Sequence, residues 1–91
     1  MTGEVRNNEA AHQYELEVEG ELALAAYRLG GGQIILTHTE VPDALEGRGI
    51  GSKLVGAALD DARAQGLKVV PACPFVKHYM DKHPETADLL V

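Results

Sequence analysis

The sequence predicts an α/β (α+β) fold. A mixed, mostly antiparallel sheet comes first, then a long helix after a glycine loop, then a short C-terminal helix. Three observations carry this. Residues 13–19 alternate apolar and polar at period two. After Pro42 the period changes, and Ile50, Leu54, Val55, Ala58, Leu59 and Ala62 recur at helical spacing. Glycine and proline mark the joints between these segments. The 91 residues give room for one domain, 1–91, with a small core.

Taken in order, Val5 to Asn8 is a candidate edge strand. Residues 13–19 form a half-buried strand, with Tyr14, Leu16 and Val18 on one face and Glu15, Glu17 and Glu19 on the other. Gly20 breaks it. Leu22 to Leu29 is apolar on both faces, as a central strand is. Gly30-Gly31-Gly32 turns the chain into residues 33–41, a β-branched strand closed by Pro42. The helix from Ile50 ends near Gly66, in the place of a C′ glycine. Leu67 to Val70 is a short strand ended by Pro71, residues 75–82 a short helix, and Glu85 to Leu90 a final helical turn.

Composition excludes several function classes. The net charge is −6, with one Phe and no Trp. Nucleic acid needs a basic surface and stacking rings, so it is not an expected partner. The longest apolar run, Leu22 to Tyr27, is six residues, far short of the ~20 of a membrane helix. The N-terminus shows no apolar signal segment, and the single Cys73 allows no internal disulfide. The expected compartment is the cytosol, the expected state a monomer or weak homodimer. His12, His38, His78 and His83 have no metal-ligand spacing, so no metal is expected.

The charge is uneven. Residues 1–46 hold nine acids and two bases, a balance of −7, whereas residues 47–91 hold five acids and six bases, a balance of +1. An anionic ligand is better received by the second half. The acidic half favours a cationic or neutral second ligand, unless its glutamates only solvate a strand face.

The informative segment is Glu46-Gly47-Arg48-Gly49-Ile50-Gly51-Ser52, between a strand end and the start of the main helix. Glycines there let backbone N–H groups approach a ligand and converge on an anion, and the helix dipole adds to the attraction. Arg48 adds a charge-assisted contact. The expected ligand is a phosphate or pyrophosphate. No Gly-Lys-Ser/Thr closes the loop, and the preceding strands form hairpins, so neither a Walker loop nor a dinucleotide fingerprint fits.

Here the sequence resembles the GNAT superfamily of acyl-CoA-dependent N-acyltransferases, whose pyrophosphate loop reads Gln/Arg-x-x-Gly-x-Gly/Ala. Glu46-Gly-Arg-Gly49-Ile-Gly51 matches its glycines and departs at Glu46. His38-Thr-Glu-Val-Pro42, Pro71-Ala-Cys73-Pro-Phe-Val and Tyr79 to Glu85 are similar to a short single-domain branch. The resemblance implies a minimal GNAT-like fold, a sheet splayed near Val41, and acetyl-CoA as cosubstrate. It places the pyrophosphate on Gly47, Arg48, Gly49, Ile50, Gly51 and Ser52, and the pantetheine arm along the strand from His38 to Val41. It implies acetyl transfer to a small or peptidyl amine. Larger members continue with two more strands that help build the acceptor site. The sequence stops at Val91, before any counterpart, so a reduced acceptor half is expected.

Transfer to an amine needs a base, an acid for the leaving thiolate and a polarised carbonyl. His38 and Glu40, two apart on one strand face, are candidate bases. Alternatively, Ile34, Leu36, His38 and Glu40 line one partly buried face. Tyr79, in Tyr-Met-Asp-Lys, resembles the family tyrosine that protonates the departing sulfur, or it packs at the core edge. Cys73, between Pro71 and Pro74, resembles a suspected catalytic cysteine of the short branch. It is either an acyl-accepting nucleophile, which makes the reaction ping-pong, or a small core residue. A nucleophile needs a lowered thiol pKa, from the His38 imidazolium or from amides at the start of the helix after Pro74. Two functions follow: an N-acetyltransferase, or a non-catalytic acyl-CoA-binding module.

Overall fold

The structure is a computed structural model and describes residues 4–91. Its strands are β1 (Arg6–Asn8), β2 (Gln13–Val18), β3 (Glu21–Gly30), β4 (Gln33–Glu40) and β5 (Lys68–Pro71). Its helices are α1 (Ile50–Ala64) and α2 (Pro74–Lys82), with 3-10 segments at Asp43–Leu45 and Pro84–Leu89. Among the described residues no helix is long and apolar enough to cross a membrane.

The sheet runs in the order β1-β2-β3-β4-β5. β1 to β4 form an antiparallel meander, and β5 joins β4 in parallel after the α1 crossover. This is the mixed, mostly antiparallel sheet that the residue pattern predicts. The long helix starts where the glycine loop ends, at Ile50.

The core lies between α1 and one sheet face. Leu54, Val55, Ala58, Leu59 and Ala62 pack against Leu16, Val18, Ala23, Ala25 and Tyr27, all buried. Ala23 and Ala25 are fully covered. Their small side chains let the helix approach closely, and its aliphatic residues fill the space. Tyr14 and Tyr27 keep their hydroxyls satisfied at the rim, Tyr14 on Asp61 and Tyr27 on Asn7 Oδ1 at 2.6 Å. Arg63 holds the C-terminal 3-10 segment by a forked bond to Asp88 at 2.6 and 3.0 Å.

β3 is the middle strand of the five, as its apolar run predicts; Ala23, Ala25 and Tyr27 face the core, while Leu22 on the other face is 42% exposed. One strand expectation needs correction. Glu15 is no solvated glutamate, since only 4% of it is exposed. Arg6 and Asn8 of β1, with Gln13 beside it, bond both carboxylate oxygens at 2.5–3.2 Å. Cross-strand pairing places Arg6 directly opposite Glu15. A thin polar layer thus replaces the water that an alternating pattern assigns to that face.

These donors, led by Gln13 and Asn8, hold the Glu15 carboxyl below its ordinary range despite burial. A depressed folded pKa gives stability that is present above the unfolded value and lost as pH falls through the folded one. Glu15→Gln is therefore expected to lower the melting temperature at pH 7 by a few degrees, as loss of about 1 kcal/mol does. The gap to wild type should close below about pH 4. Thermal melts of both proteins from pH 3 to 8 test this, and a gap independent of pH contradicts it.

Candidate functional site

The segment after β4 builds the anion site. Buried Leu45 anchors the 3-10 turn, and Glu46 leaves it extended. Gly47 and Gly49 then take the left-handed backbone, at φ 82° and 72°. Side chains other than Asn and Asp rarely tolerate that region, which explains the two glycines. Gly49 is the N-cap of α1, and its carbonyl accepts from the Lys53 amide at 3.0 Å. The amides of Ile50, Gly51 and Ser52 precede the first intrahelical donor, the Lys53 N–H, so they stay free for a ligand.

These residues line a cleft of about 360 Å³ with Thr39, Val41, Leu45 and Phe75. Phe75 is 41% exposed and lies against the start of α1. A Cβ on Gly51 would stand 2.7 Å from its ring, so this glycine serves a close approach. Gly47, Gly49, Ile50, Gly51 and Ser52 line this cleft together, with Arg48 turned elsewhere. Its guanidinium pairs with Glu19 of the β2–β3 turn at 2.5 Å.

β4 decides where the chemical candidates point. Tyr27 pairs with Leu36 but Ala26 with His38, so Thr37 is an extra, bulged residue. Before the bulge, Ile34 and Leu36 face the core. After it, parity reverses. Thr39 takes the inner side opposite buried Ala25, and His38 and Glu40 the outer side opposite Ala26 and Leu24. His38 and Glu40 do share a face and stand 3.3 Å apart, both well exposed. They do not share it with Ile34 and Leu36, and that expectation is corrected by the bulge.

The splay also lies elsewhere than expected. β5 pairs with β4 only as far as Leu36–Pro71, and the Cys73 amide then returns to the Leu36 carbonyl at 2.9 Å. The strands part at Leu36 rather than near Val41. From Thr37 to Glu40 the β5-side edge of β4 has no strand partner among the described residues.

Cys73 is the N-cap of α2 and only 6% exposed. Its sulfur stands 3.6 Å from the Thr39 hydroxyl, which lines the cleft. Burial pushes the thiol up. The Thr39 hydroxyl and the amides of Val76, Phe75 and Thr39 outweigh it and hold the thiol below its ordinary value, though no full capping bond closes. Of the two expected causes, the helix-start amides operate. His38 is on the opposite face of β4 from the sulfur.

Tyr79 is placed apart from this cleft. Its ring stacks on His83 at 3.9 Å, and its hydroxyl lies close over Gly56. It lines a second cleft with Ser52, Lys53 and Asp60. Burial first, then the charges of Asp60 and Glu85, raise its pKa. Among the described residues no group of three or more His, Cys, Asp or Glu stands together as a metal site.

Thr39 and Phe75 were not among the sequence candidates. Thr39 gains its place from a bulge that leaves no mark in an alternating Thr-His-Thr run. Phe75 carries a signal: it is the single Phe, next to Cys73-Pro74 at a helix start.

Comparison with known proteins agrees with the fold. A family model described as GCN5-related N-acetyl-transferase matches residues 13–89. Protein NATD1 of Gallus gallus is 34% identical over 84 residues, covering 89% of this chain and 76% of its own. Protein NATD1 of Homo sapiens is 35% identical over 83 residues, covering 88% and 74%. The NMR solution structure of a GCN5-like protein from Staphylococcus aureus superposes with a TM-score of 0.75 at 32% identity, covering 97% of this chain and 87% of that one.

Proposed function

The chain belongs to the GCN5-related N-acetyltransferase family, and on that premise we propose that it moves an acetyl group from acetyl-CoA to an amine. One observation carries the reading. The Gly47–Ser52 loop lines the same cleft as Thr39, whose hydroxyl stands 3.6 Å from the Cys73 sulfur. In this reading the amides of Ile50, Gly51 and Ser52 hold the pyrophosphate, and Gly47 and Gly49 let it approach. The open edge of β4 toward Val41 binds the pantetheine arm through backbone groups.

The Cys73 thiolate then attacks the thioester carbonyl and takes the acetyl group, releasing CoA. The amine enters the cleft, and its proton passes through water to Glu40 or His38, which stand on the other face of β4 from the sulfur. The amine attacks the carbonyl carbon of the S-acetyl group, the C–S bond breaks, and Cys73 returns as thiolate. Tyr79 would serve as proton donor to the leaving sulfur only from the neighbouring cleft. A thiol with this task needs reducing surroundings, which fits the cytosol. The burial of Cys73 favours a second reading, a module that binds acyl-CoA without turnover.

The test is CoA release from acetyl-CoA with a panel of amines. Release is expected with spermidine or lysine peptides and to be slower with glutamate, because the first 46 residues balance at −7. Binding without release from any amine supports the second reading. Faster turnover of glutamate contradicts the charge argument.

A further inference from the structure

We propose that Glu19 and Arg48 form a clasp that the pyrophosphate of acyl-CoA opens, with Arg48 exchanging the carboxylate for phosphate. This deepens the acyl-CoA reading and rests on it. Within the run Leu45 to Ser52, Arg48 is the one residue that does not line the cleft. Its guanidinium is drawn to Glu19, at 2.5 Å, on the neighbouring hairpin turn. Both side chains are about half exposed, 48% and 55%. Arg48 also sits between two left-handed glycines with nothing packed where their Cβ atoms would be. Nothing packs against the loop on either side of Arg48, so its side chain has room to turn.

Glu19 is an unusual residue for its position. Val18 pairs with Glu21, so Glu19-Gly20 is a two-residue hairpin turn, with φ values of 52° and 78°. Such a turn favours Asn, Asp or Gly at its first position. Glutamate is a poor choice for folding there, yet its longer side chain spans the gap to the loop. An exposed ion pair is weakly held. A guanidinium fork on phosphate is stronger, so the exchange runs downhill once a pyrophosphate arrives. Until then Glu19 masks the cation and repels an incoming anion.

Glu19 is thus a positioning residue that weakens CoA binding through Arg48. Calorimetry with CoA tests this on wild type, Glu19→Gln, Arg48→Gln and the double variant. Glu19→Asn is added because asparagine suits the turn and keeps the hairpin folded. Glu19→Gln and Glu19→Asn are expected to bind about three- to fivefold tighter at low salt, with the gain shrinking at high salt. Adding Glu19→Gln to Arg48→Gln should change affinity by less than about 1.5-fold, because the partner is gone. Unchanged or weaker binding in both Glu19 variants overturns the clasp alone. So does a full gain in the Arg48→Gln background, which would make Glu19 act on the ligand directly. Wild type that binds no CoA overturns the acyl-CoA reading and the clasp with it.

Discussion

Gly49→Val is expected to weaken CoA binding by about ten- to a hundredfold, the loss of one or two charge-assisted hydrogen bonds. Gly49 caps α1 with φ 72°, a conformation that a β-branched residue adopts only with strain. No atom lies within 4 Å of where its Cβ would be, so a Cβ there meets no crowding. The effect must come from the backbone. Relaxing toward negative φ rotates the peptide groups around Gly49 and turns the amides of Ile50 and Gly51 away from their common focus. The buried face of α1 begins at Ile50 and continues through Leu54 and Val55, so the core persists. The melting temperature should fall by several degrees, reflecting strain of about 1–3 kcal/mol. Calorimetry on the folded variant is the measurement. Gly49→Asn supplies the contrast: asparagine tolerates the left-handed region and should keep most of the affinity. If Val and Asn bind CoA as wild type does, the loop is a turn and the pyrophosphate lies elsewhere.

That the loop was legible follows from its chemistry. Glycine spacing, a strand before and an amphipathic helix after are all local features, and each survives into the structure. The hairpin order was legible too, because Gly20 and Gly30–Gly32 separate segments of clear period. What failed was non-local. Glu15 reads as exposed because its neighbours alternate, and only pairing with β1 brings Arg6 and Asn8 over it. The faces of His38, Thr39 and Glu40 depend on one bulged residue, Thr37, fixed by how β4 pairs with β3. A sequence read at strict period two carries the Ile34–Leu36 face onward to His38 and Glu40. The structure hands that place to Thr39. Arg48 was expected at the phosphate, and its contact with Glu19 joins residues 29 apart in the chain. Periodicity cannot show such a pair.

Cys73→Ala is expected to abolish acetylation of the protein and to slow transfer to an amine by about a thousandfold or more, the scale of losing a covalent nucleophile. Wild type incubated with acetyl-CoA alone should gain one acetyl group by intact mass, removable with hydroxylamine. The alanine variant should gain none and still bind CoA, since Cys73 is not among the residues that line the cleft. An ordinary thiol, at pKa ~8.5, is only a few per cent ionised at neutral pH. The Thr39 hydroxyl and the α2 amides lower that value despite burial. The thiolate is therefore present to lower pH than in a free cysteine, and the adduct rate should fall only as pH drops through the depressed value. Thr39→Val removes the hydroxyl that stands 3.6 Å from the sulfur. It should shift this pH profile upward, toward the ordinary thiol, while Thr39→Ser holds it in place. A profile that Thr39→Val leaves unmoved would assign the activation to the helix amides alone. If wild type forms no adduct and Cys73→Ala transfers acetyl at the wild-type rate, the sulfur only packs the core. The amine must then attack the thioester directly, its proton passing through water to Glu40 or His38.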